Sequence, residues 1–201
     1  MQAHLVFTSP ILVLTEGKTD LELVQKIFEQ NATIENKNLF QFHHAGSYEK
    51  VIKTIEFASA NDRGKTAKMI GLMVDADNDP VARDAQLKKL ANDGKYPFAL
   101  HYLIVPSAQT AGAIETLALK TLDDDTLACS EAFVACIEKT TPLNPAQRDK
   151  LKLYAWTSQQ EKEPVTNFMR VKNQSSSLVD VTHDAFQQIV TFLTQLAHHV
   201  H

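Results

Sequence analysis

Three aspartates alternate directly after the most apolar segment of the chain. The segment "MIGLMV" covers residues 69–74, and Asp75, Asp77 and Asp79 follow it. Alternate side chains of an extended chain lie on one face, and an unpaired carboxylate at the end of a buried strand would be unfavourable. Asp75 and Asp77 therefore predict a cation site. Oxygen ligands suit Mg²⁺ or Mn²⁺, and the glycine and glutamate of a calcium-binding EF-hand loop are missing.

Asp79 has a second interpretation. It precedes Pro80, and an aspartate at the N-cap followed by a proline at the first helical position is a common helix start. Asp79 is therefore a candidate metal ligand, a helix cap, or both. Asp75 has no comparable structural role open to it.

A second acidic stretch, "EGKTD", follows the apolar segment "ILVLT". Glu16 would lie just past a buried strand, where a carboxylate facing a helix N-terminus is stabilised by the helix dipole; the alternative is a turn glutamate that points to water. Lys18 could steady a phosphate or could be a solvated turn lysine. Thr19 and Glu22 match the capping-box pattern, which predicts that a helix begins after Thr19.

The "GKT" of this stretch is not predicted to be a phosphate-binding P-loop. That motif needs a glycine five positions before its Gly-Lys pair, and Leu12 occupies this position. The glycines that would surround the phosphates are therefore absent.

Strand and helix signals alternate over the first half of the chain. This alternation predicts parallel strands with right-handed crossovers, in an α/β core of about four strands over residues 1–107. Residues 108–201 read as a mainly helical extension packed on that core. The predicted strands lie at 12–14, 39–43, 69–74 and 101–105, and the predicted helices of the second half lie at 112–121, 127–137, 145–157 and 183–199.

The acidic residues follow the first and third predicted strands. Ligands of open α/β sheets bind outside the carboxyl ends of the strands. If the two strands are neighbours, Glu16, Asp75 and Asp77 meet at one edge of the sheet.

The pair of motifs "EGKTD" and "DAD", each after an apolar strand, resembles the TOPRIM domain of bacterial primases, type IA and II topoisomerases, OLD-family nucleases and small RNA-maturation nucleases. The resemblance covers roughly residues 9–106. With "IVPSAQTAGAIETLAL" and "KLKLYAWTSQQ" included, nearly the whole chain resembles a stand-alone, uncharacterised bacterial TOPRIM-like family related to the OLD nucleases.

The resemblance implies a role for each acidic residue. Glu16 would be the acid/base residue or a metal ligand, and Asp75 and Asp77 would hold Mg²⁺ or Mn²⁺. Glu115, on a predicted helix, would serve a second metal ion, or is a glutamate placed near a helix N-terminus where the dipole favours it. The implied function is Mg²⁺-dependent phosphodiester chemistry on DNA or RNA. The alternative is a non-catalytic regulatory module that binds a metal, a nucleotide or a partner protein.

The composition is that of an ordinary globular protein. The 201 residues are 44% hydrophobic and 22% charged, and the formal charge of −4 gives no overall basic field for nucleic acid. Cys129 and Cys136 are predicted to be small core residues, and Trp156 is predicted to pack in the core. No targeting signal or membrane span is recognised, so we expect a cytoplasmic protein.

Overall fold

A four-stranded parallel sheet organises the first half of the chain, as the sequence predicts. The computed structural model describes residues 6–62, 65–160 and 179–200. The strand order is β2-β1-β3-β4, and β1 pairs in parallel with both β2 and β3. The strands are β1 Ile11–Thr15, β2 Phe40–His44, β3 Met69–Asp75 and β4 Ala99–Val105.

Helices connect the strands and make up most of the described second half. Two short 3-10 helices, Lys37–Leu39 and Asp184–Phe186, add to them. The α-helices are α1 Lys18–Gln30, α2 Tyr48–Asn61, α3 Pro80–Asn92, α4 Ile114–Leu119, α5 Asp124–Glu138, α6 Pro145–Gln160 and α7 Gln187–His198.

The central strands are buried because helices cover both faces of the sheet. All five residues of β1 are buried, as are the first six of β3, which is the pattern of strands without a solvent-facing side. Helix α1 buries one apolar stripe, formed by Leu23, Val24 and Ile27. The apolar runs and the helical periodicity of the sequence therefore follow directly from burial.

Helix α7 packs against β3 at a glycine. A Cβ atom on Gly71 would clash with Leu196 and would lie 3.2 Å from the ring of Phe192. Both side chains belong to the buried face of α7. The absence of a side chain at Gly71 thus allows the helix to approach the strand closely.

The described residues group into two compact units. The first takes its residues from Met1–Val74, Ala85–Leu103 and Ile189–His201, and the second from Asp75–Asp84 and Ile104–Gln188. The first unit contains β1, β2 and α7, and the second contains α4, α5 and α6. The predicted division into 1–107 and 108–201 stays a prediction.

The predicted start of α1 is wrong. The helix begins at Lys18, and Gly17 occupies the N-cap position. The reason is that the Asp20 carboxylate, not Glu22, reaches back: its Oδ2 accepts the Gly17 N–H at 2.7 Å. Glu22 instead forms an ion pair with Lys18 at 3.5 Å.

The prediction for the cysteines is also wrong. Cys129 and Cys136 are both free and exposed, because α5 turns Ser130 and Val134 inward instead. Trp156 is buried, as predicted.

The four helices predicted in the second half differ in their bounds from the observed ones. Helix α5 begins at Asp124 instead of residue 127, and α6 ends at Gln160 instead of residue 157. Helix α4 covers Ile114–Leu119 and is shorter than predicted, and the last helix starts with the 3-10 turn Asp184–Phe186. The loop predicted at 173–177 lies outside the described residues. Among the helices of the described ranges, none is long and apolar enough to cross a membrane.

Candidate functional site

The carboxylate of Asp75 is bonded to the start of α4. Asp75 is the last residue of β3 and is half-buried. Its Oδ1 accepts the backbone N–H of Ile114 at 3.1 Å. One oxygen of this carboxylate therefore satisfies a helix N–H group that has no partner within the helix. The expectation that Asp75 has no structural role is wrong, because its bonding partner lies far along the chain.

Asp77 is held by its backbone. It has a left-handed conformation with φ of 51°, so the chain departs here from the extended form that the alternation of aspartates suggests. Its N–H and C=O exchange two hydrogen bonds of 2.8 Å with Gly112. Gly112 itself has φ of +139°, and a Cβ there would clash with Thr116 and lie 3.3 Å from Pro106. A glycine at this position is what allows the loop after β4 to pair with Asp77.

The carboxylate of Asp77 forms an ion pair with Arg83. The Arg83 guanidinium donates to Asp77 Oδ2 at 2.6 Å. The Arg83 side chain is 14% exposed, whereas that of Asp77 is 52% exposed. Arg83 was not among the residues that the sequence singled out, although its position one turn into α3 after an aspartate cluster is a usable signal.

Asp79 caps helix α3. Its Oδ1 accepts the Ala82 N–H at 2.9 Å, and Pro80 is the first residue of the helix. The structural interpretation of Asp79 is therefore realised, and a role as a metal ligand stays a prediction.

Glu115 lies in the first turn of α4 and is buried. Its neighbours on both sides have defined partners: Ile114 donates to Asp75, and the Thr116 hydroxyl donates to Asp149 Oδ2 at 2.6 Å. Glu115 thus sits on a helix turn that is fixed at two points. Glutamates are mostly exposed in folded proteins, so the burial of Glu115 distinguishes it from an ordinary glutamate on a helix surface.

A network of charged side chains connects α6 with α5. Lys152 lies 2.9 Å from Glu131 and 4.0 Å from Asp149, and its side chain is 13% exposed. The hydrogen bond and the positive charge of Lys152 lower the pKa of Glu131. No local sequence pattern predicts this network, because its partners come from different helices and follow no motif.

The turn after β1 belongs to the other unit and is held mainly by backbone groups. The Glu16 C=O accepts the Gly46 N–H at 2.6 Å, and the Thr15 C=O accepts the Ala45 N–H at 2.9 Å. Glu16 is half-buried, whereas the Lys18 side chain is 74% exposed. The structure thus places Lys18 in solvent, beside Glu22.

Two histidines end β2 in the same unit. The rings of His43 and His44 stack with centroids 5.9 Å apart. Burial, and secondarily the neighbouring His44, lowers the pKa of His43.

The segment after β3 offers carboxylate oxygens, which are the kind of ligand that Mg²⁺ prefers. Within the described ranges there is no group of three or more His, Cys, Asp or Glu side chains placed to hold a metal ion. Mg²⁺, however, keeps several waters and commonly takes only one or two carboxylates. Asp75 and Asp77 could supply these two, with Arg83 competing for Asp77.

Comparisons with known proteins place the chain in one family. The comparisons with curated proteins and with solved structures gave no significant match. A family model, in contrast, matches residues 10–198, which is nearly the whole chain. This chain therefore belongs to the family described as "Protein of unknown function (DUF3226)".

Proposed function

We propose that this protein carries out Mg²⁺-dependent phosphodiester chemistry on nucleic acid, with Asp75 and Asp77 as the metal ligands. One observation carries the proposal: the acidic segment after β3 is fixed in place by the paired hydrogen bonds between Asp77 and Gly112. This segment follows a buried parallel strand at its carboxyl end, where ligands of open α/β sheets bind. Fixed carboxylates at that position suit a site that must hold an ion without rearranging.

The chemistry needs few protein groups. A bound Mg²⁺ would orient a phosphate and offset the charge that develops on its oxygens. The hydrogen bond from the Ile114 N–H to Oδ1 orients the Asp75 carboxylate at the end of β3, where it would act as one ligand of the ion. Asp77 is the more exposed of the two carboxylates and can accept ligands from solvent.

Arg83 would act as a counterion that exchanges partners. In the structure it neutralises Asp77 at 2.6 Å. A cation at Asp77 would weaken this pair, and a guanidinium matches phosphate geometry with two parallel donors. We therefore assign Arg83 to phosphate binding in the same proposal.

Two arguments support including Glu16 in the proposal: the order of the strands and the resemblance to TOPRIM domains. Strands β1 and β3 are neighbours, with Thr15 paired to Met73, and Glu16 is the residue after Thr15. The resemblance to TOPRIM domains implies an acid/base or metal-ligand role for it. That relationship stays a prediction, because the family model that matches the chain describes no activity.

A second candidate function is a regulatory module that binds a metal or a nucleotide without catalysis. The ion pair of Asp77 with Arg83 favours its nucleotide-binding form, because a carboxylate that already has a cationic partner is a weaker metal ligand. The formal charge of −4 also favours a small ligand over a long nucleic acid.

Cleavage assays separate the two candidates. Purified protein is incubated with supercoiled plasmid and with single-stranded RNA in Mn²⁺ or Mg²⁺, and nicking or shortening is followed by gel. We expect cleavage that EDTA abolishes and that Asp75→Asn and Glu16→Gln each reduce about 100-fold or more, as loss of a group acting in the transition state does. Asp93→Asn, which removes an exposed carboxylate from the loop after α3, is the matched control.

Metal binding decides the remaining case. Titration with Mn²⁺, followed by electron paramagnetic resonance, measures occupancy without any substrate. Binding that Asp75→Asn weakens, with no cleavage of either substrate, would favour the regulatory module. Wild-type protein that neither binds Mn²⁺ nor cleaves would overturn the metal-dependent enzyme and the metal-binding module, and would leave only a nucleotide-binding module.

A further inference from the structure

Helix α5 has an outward face without charged residues along its middle. Phe133 is 49% exposed there, and both free cysteines are exposed. Single exposed apolar residues are normal, but a contiguous apolar surface marks an interaction site. We call this surface the α5 face; it consists of Ala128, Cys129, Ala132, Phe133, Ala135 and Cys136, all exposed.

The acidic residues in the middle and last turn of α5 form ion pairs on the side of the helix that faces α6. Glu131 pairs with Lys152 at 2.9 Å, and Glu138 pairs with Arg148 at 3.4 Å. Both cations belong to α6, which packs against α5. In the middle and last turn of α5 the charges are therefore concentrated toward α6, and the opposite face is left apolar there.

The ends of the α5 face carry opposite charges. Asp125 in the first turn and Lys139 just past the last residue of the helix are both exposed. At 100° per residue, Asp125, Ala132 and Lys139 fall on one side of the helix. The face is therefore acidic at one end, apolar in the middle and basic at the other end.

We propose that the α5 face is a dimer contact that binds the α5 face of a second copy of this chain in antiparallel orientation. A two-fold axis close to Ala132 and Phe133 brings the same patch of both copies together, as an isologous interface requires. Asp125 then lies beside Lys139 of the partner subunit, and Cys129 lies beside Cys136 of the partner subunit. The small alanines allow the helices to approach closely.

The contact is small. A helix of 15 residues is about 22 Å long, and one helix face buries less than the roughly 800 Å² per partner that stable complexes bury. We therefore expect a dimer that forms with rising protein concentration. The charge pattern fixes its orientation more than its strength.

Disulfide trapping tests the orientation. Diamide, a diazene oxidant, takes two electrons and two protons from two thiols, so that a disulfide forms and the diazene becomes a hydrazine. Wild-type protein is expected to give a covalent dimer. Cys129→Ser and Cys136→Ser should each lose it, because each remaining thiol then faces a serine, and an equimolar mixture of the two variants should regain it.

Sedimentation velocity over a concentration series tests the contact itself. We expect Phe133→Asp to weaken self-association about thirtyfold, since an aromatic residue at the centre of an interface is a typical hot spot. Phe57→Asp is the matched control, because Phe57 is a similarly exposed phenylalanine on α2. A wild-type monomer at the highest attainable concentration would overturn the proposal. So would cross-linking of the single-cysteine variants as efficient as that of the wild type, or equal effects of the two phenylalanine variants.

Discussion

The turn after β1 and the segment after β3 both carry acidic residues from a strand of the same sheet into a helix, yet they are held together differently. In the turn, the backbone carbonyls of Thr15 and Glu16 accept the N–H groups of Ala45 and Gly46. In the segment, carboxylates add to the backbone pairing of Asp77 with Gly112: Asp75 bonds Ile114, Asp77 pairs with Arg83, and Asp79 bonds Ala82. A metal role for these aspartates must therefore be tested with asparagine, which has the same shape. Truncation to alanine would remove the structural hydrogen bonds together with the charge.

Matched glycine substitutions should give the largest difference in stability between the two regions. Gly112→Ala combines a strained φ of +139° with a clash against Thr116, and we expect the free energy of unfolding to fall by about 3 kcal/mol. Gly17→Ala, at the N-cap of α1 with an ordinary φ of −100°, should cost only about 1 kcal/mol, because the added Cβ, 3.0 Å from Asp20 Oδ2, meets the end of a side chain that can shift. Urea denaturation measures both.

Gly94→Ala is the control for backbone strain alone. Gly94 has φ of +68° with no atom within 4 Å of an added Cβ, so about 1 kcal/mol is expected. If Gly112→Ala cost no more than Gly94→Ala, the tight pairing with Asp77 would not be what stabilises the segment.

Removal of Arg83 should sharpen the contrast in metal binding. Arg83→Gln takes away the cation that lies 2.6 Å from Asp77, and we expect Mn²⁺ affinity to rise about tenfold. Lys95→Gln removes a cation from a surface pair with Asp93 and should leave the affinity unchanged. Weaker Mn²⁺ binding by Arg83→Gln would contradict a metal site at Asp77. A rise in affinity together with slower cleavage would support phosphate binding by Arg83.

The loss of a capping carboxylate should lower the free energy of unfolding by a similar amount in both regions. Asp20→Ala and Asp79→Ala each remove a carboxylate that accepts a backbone N–H at the start of a helix, at an expected cost of about 1 kcal/mol. Asparagine keeps the cap at Asp79 but removes the charge. Unchanged Mn²⁺ affinity in Asp79→Asn would restrict Asp79 to capping, whereas weaker binding would make it a ligand as well.

The unit that contains β1 should change in stability with pH because of His43, which lies near the end of β2. Because burial lowers its pKa in the folded protein, the unfolded chain binds a proton more readily. The free energy of unfolding should therefore fall as the pH drops through about 6.5, the ordinary value, and level off below the folded pKa. His43→Gln should flatten this dependence, as measured by urea midpoints, while His198→Gln on the exposed side of α7 should not.

Lys18 should give the smallest change in stability. It is 74% exposed, and its pair with Glu22 is 3.5 Å long, so Lys18→Ala should cost about 0.5 kcal/mol or less. Its effect on nucleic-acid binding is the informative measurement, with Lys53→Ala as an exposed control. Equal binding by both variants would leave Lys18 a solvated turn lysine.

The sequence predicts the sheet and most helices because burial leaves a periodic pattern. The strands predicted at residues 12–14 and 69–74 fall within β1 and β3, since these strands are buried on both faces. The start of α1 is missed because Thr19 and Asp20 both belong to residue types that cap helices. Only the carboxylate of Asp20 reaches the Gly17 N–H in the folded chain.

Interactions across the chain are what the sequence does not predict. Asp75 and Ile114, or Thr116 and Asp149, are joined by hydrogen bonds that no local pattern encodes. The cysteines show a related limit: their residue type favours burial, but the phase of α5 turns Ser130 and Val134 inward. The candidate acids could therefore be chosen from the sequence, whereas their partners could not.

The contact of α7 with Gly71 has a consequence for biosynthesis. A ribosome makes β3 long before it makes Leu196 and Phe192, the side chains that cover this glycine. Until then, part of an apolar strand has no cover and is open to wrong partners. A nascent chain stalled before α7 should accordingly be a client of chaperones, and the sheet unit should acquire its final packing only after its last helix has left the exit tunnel.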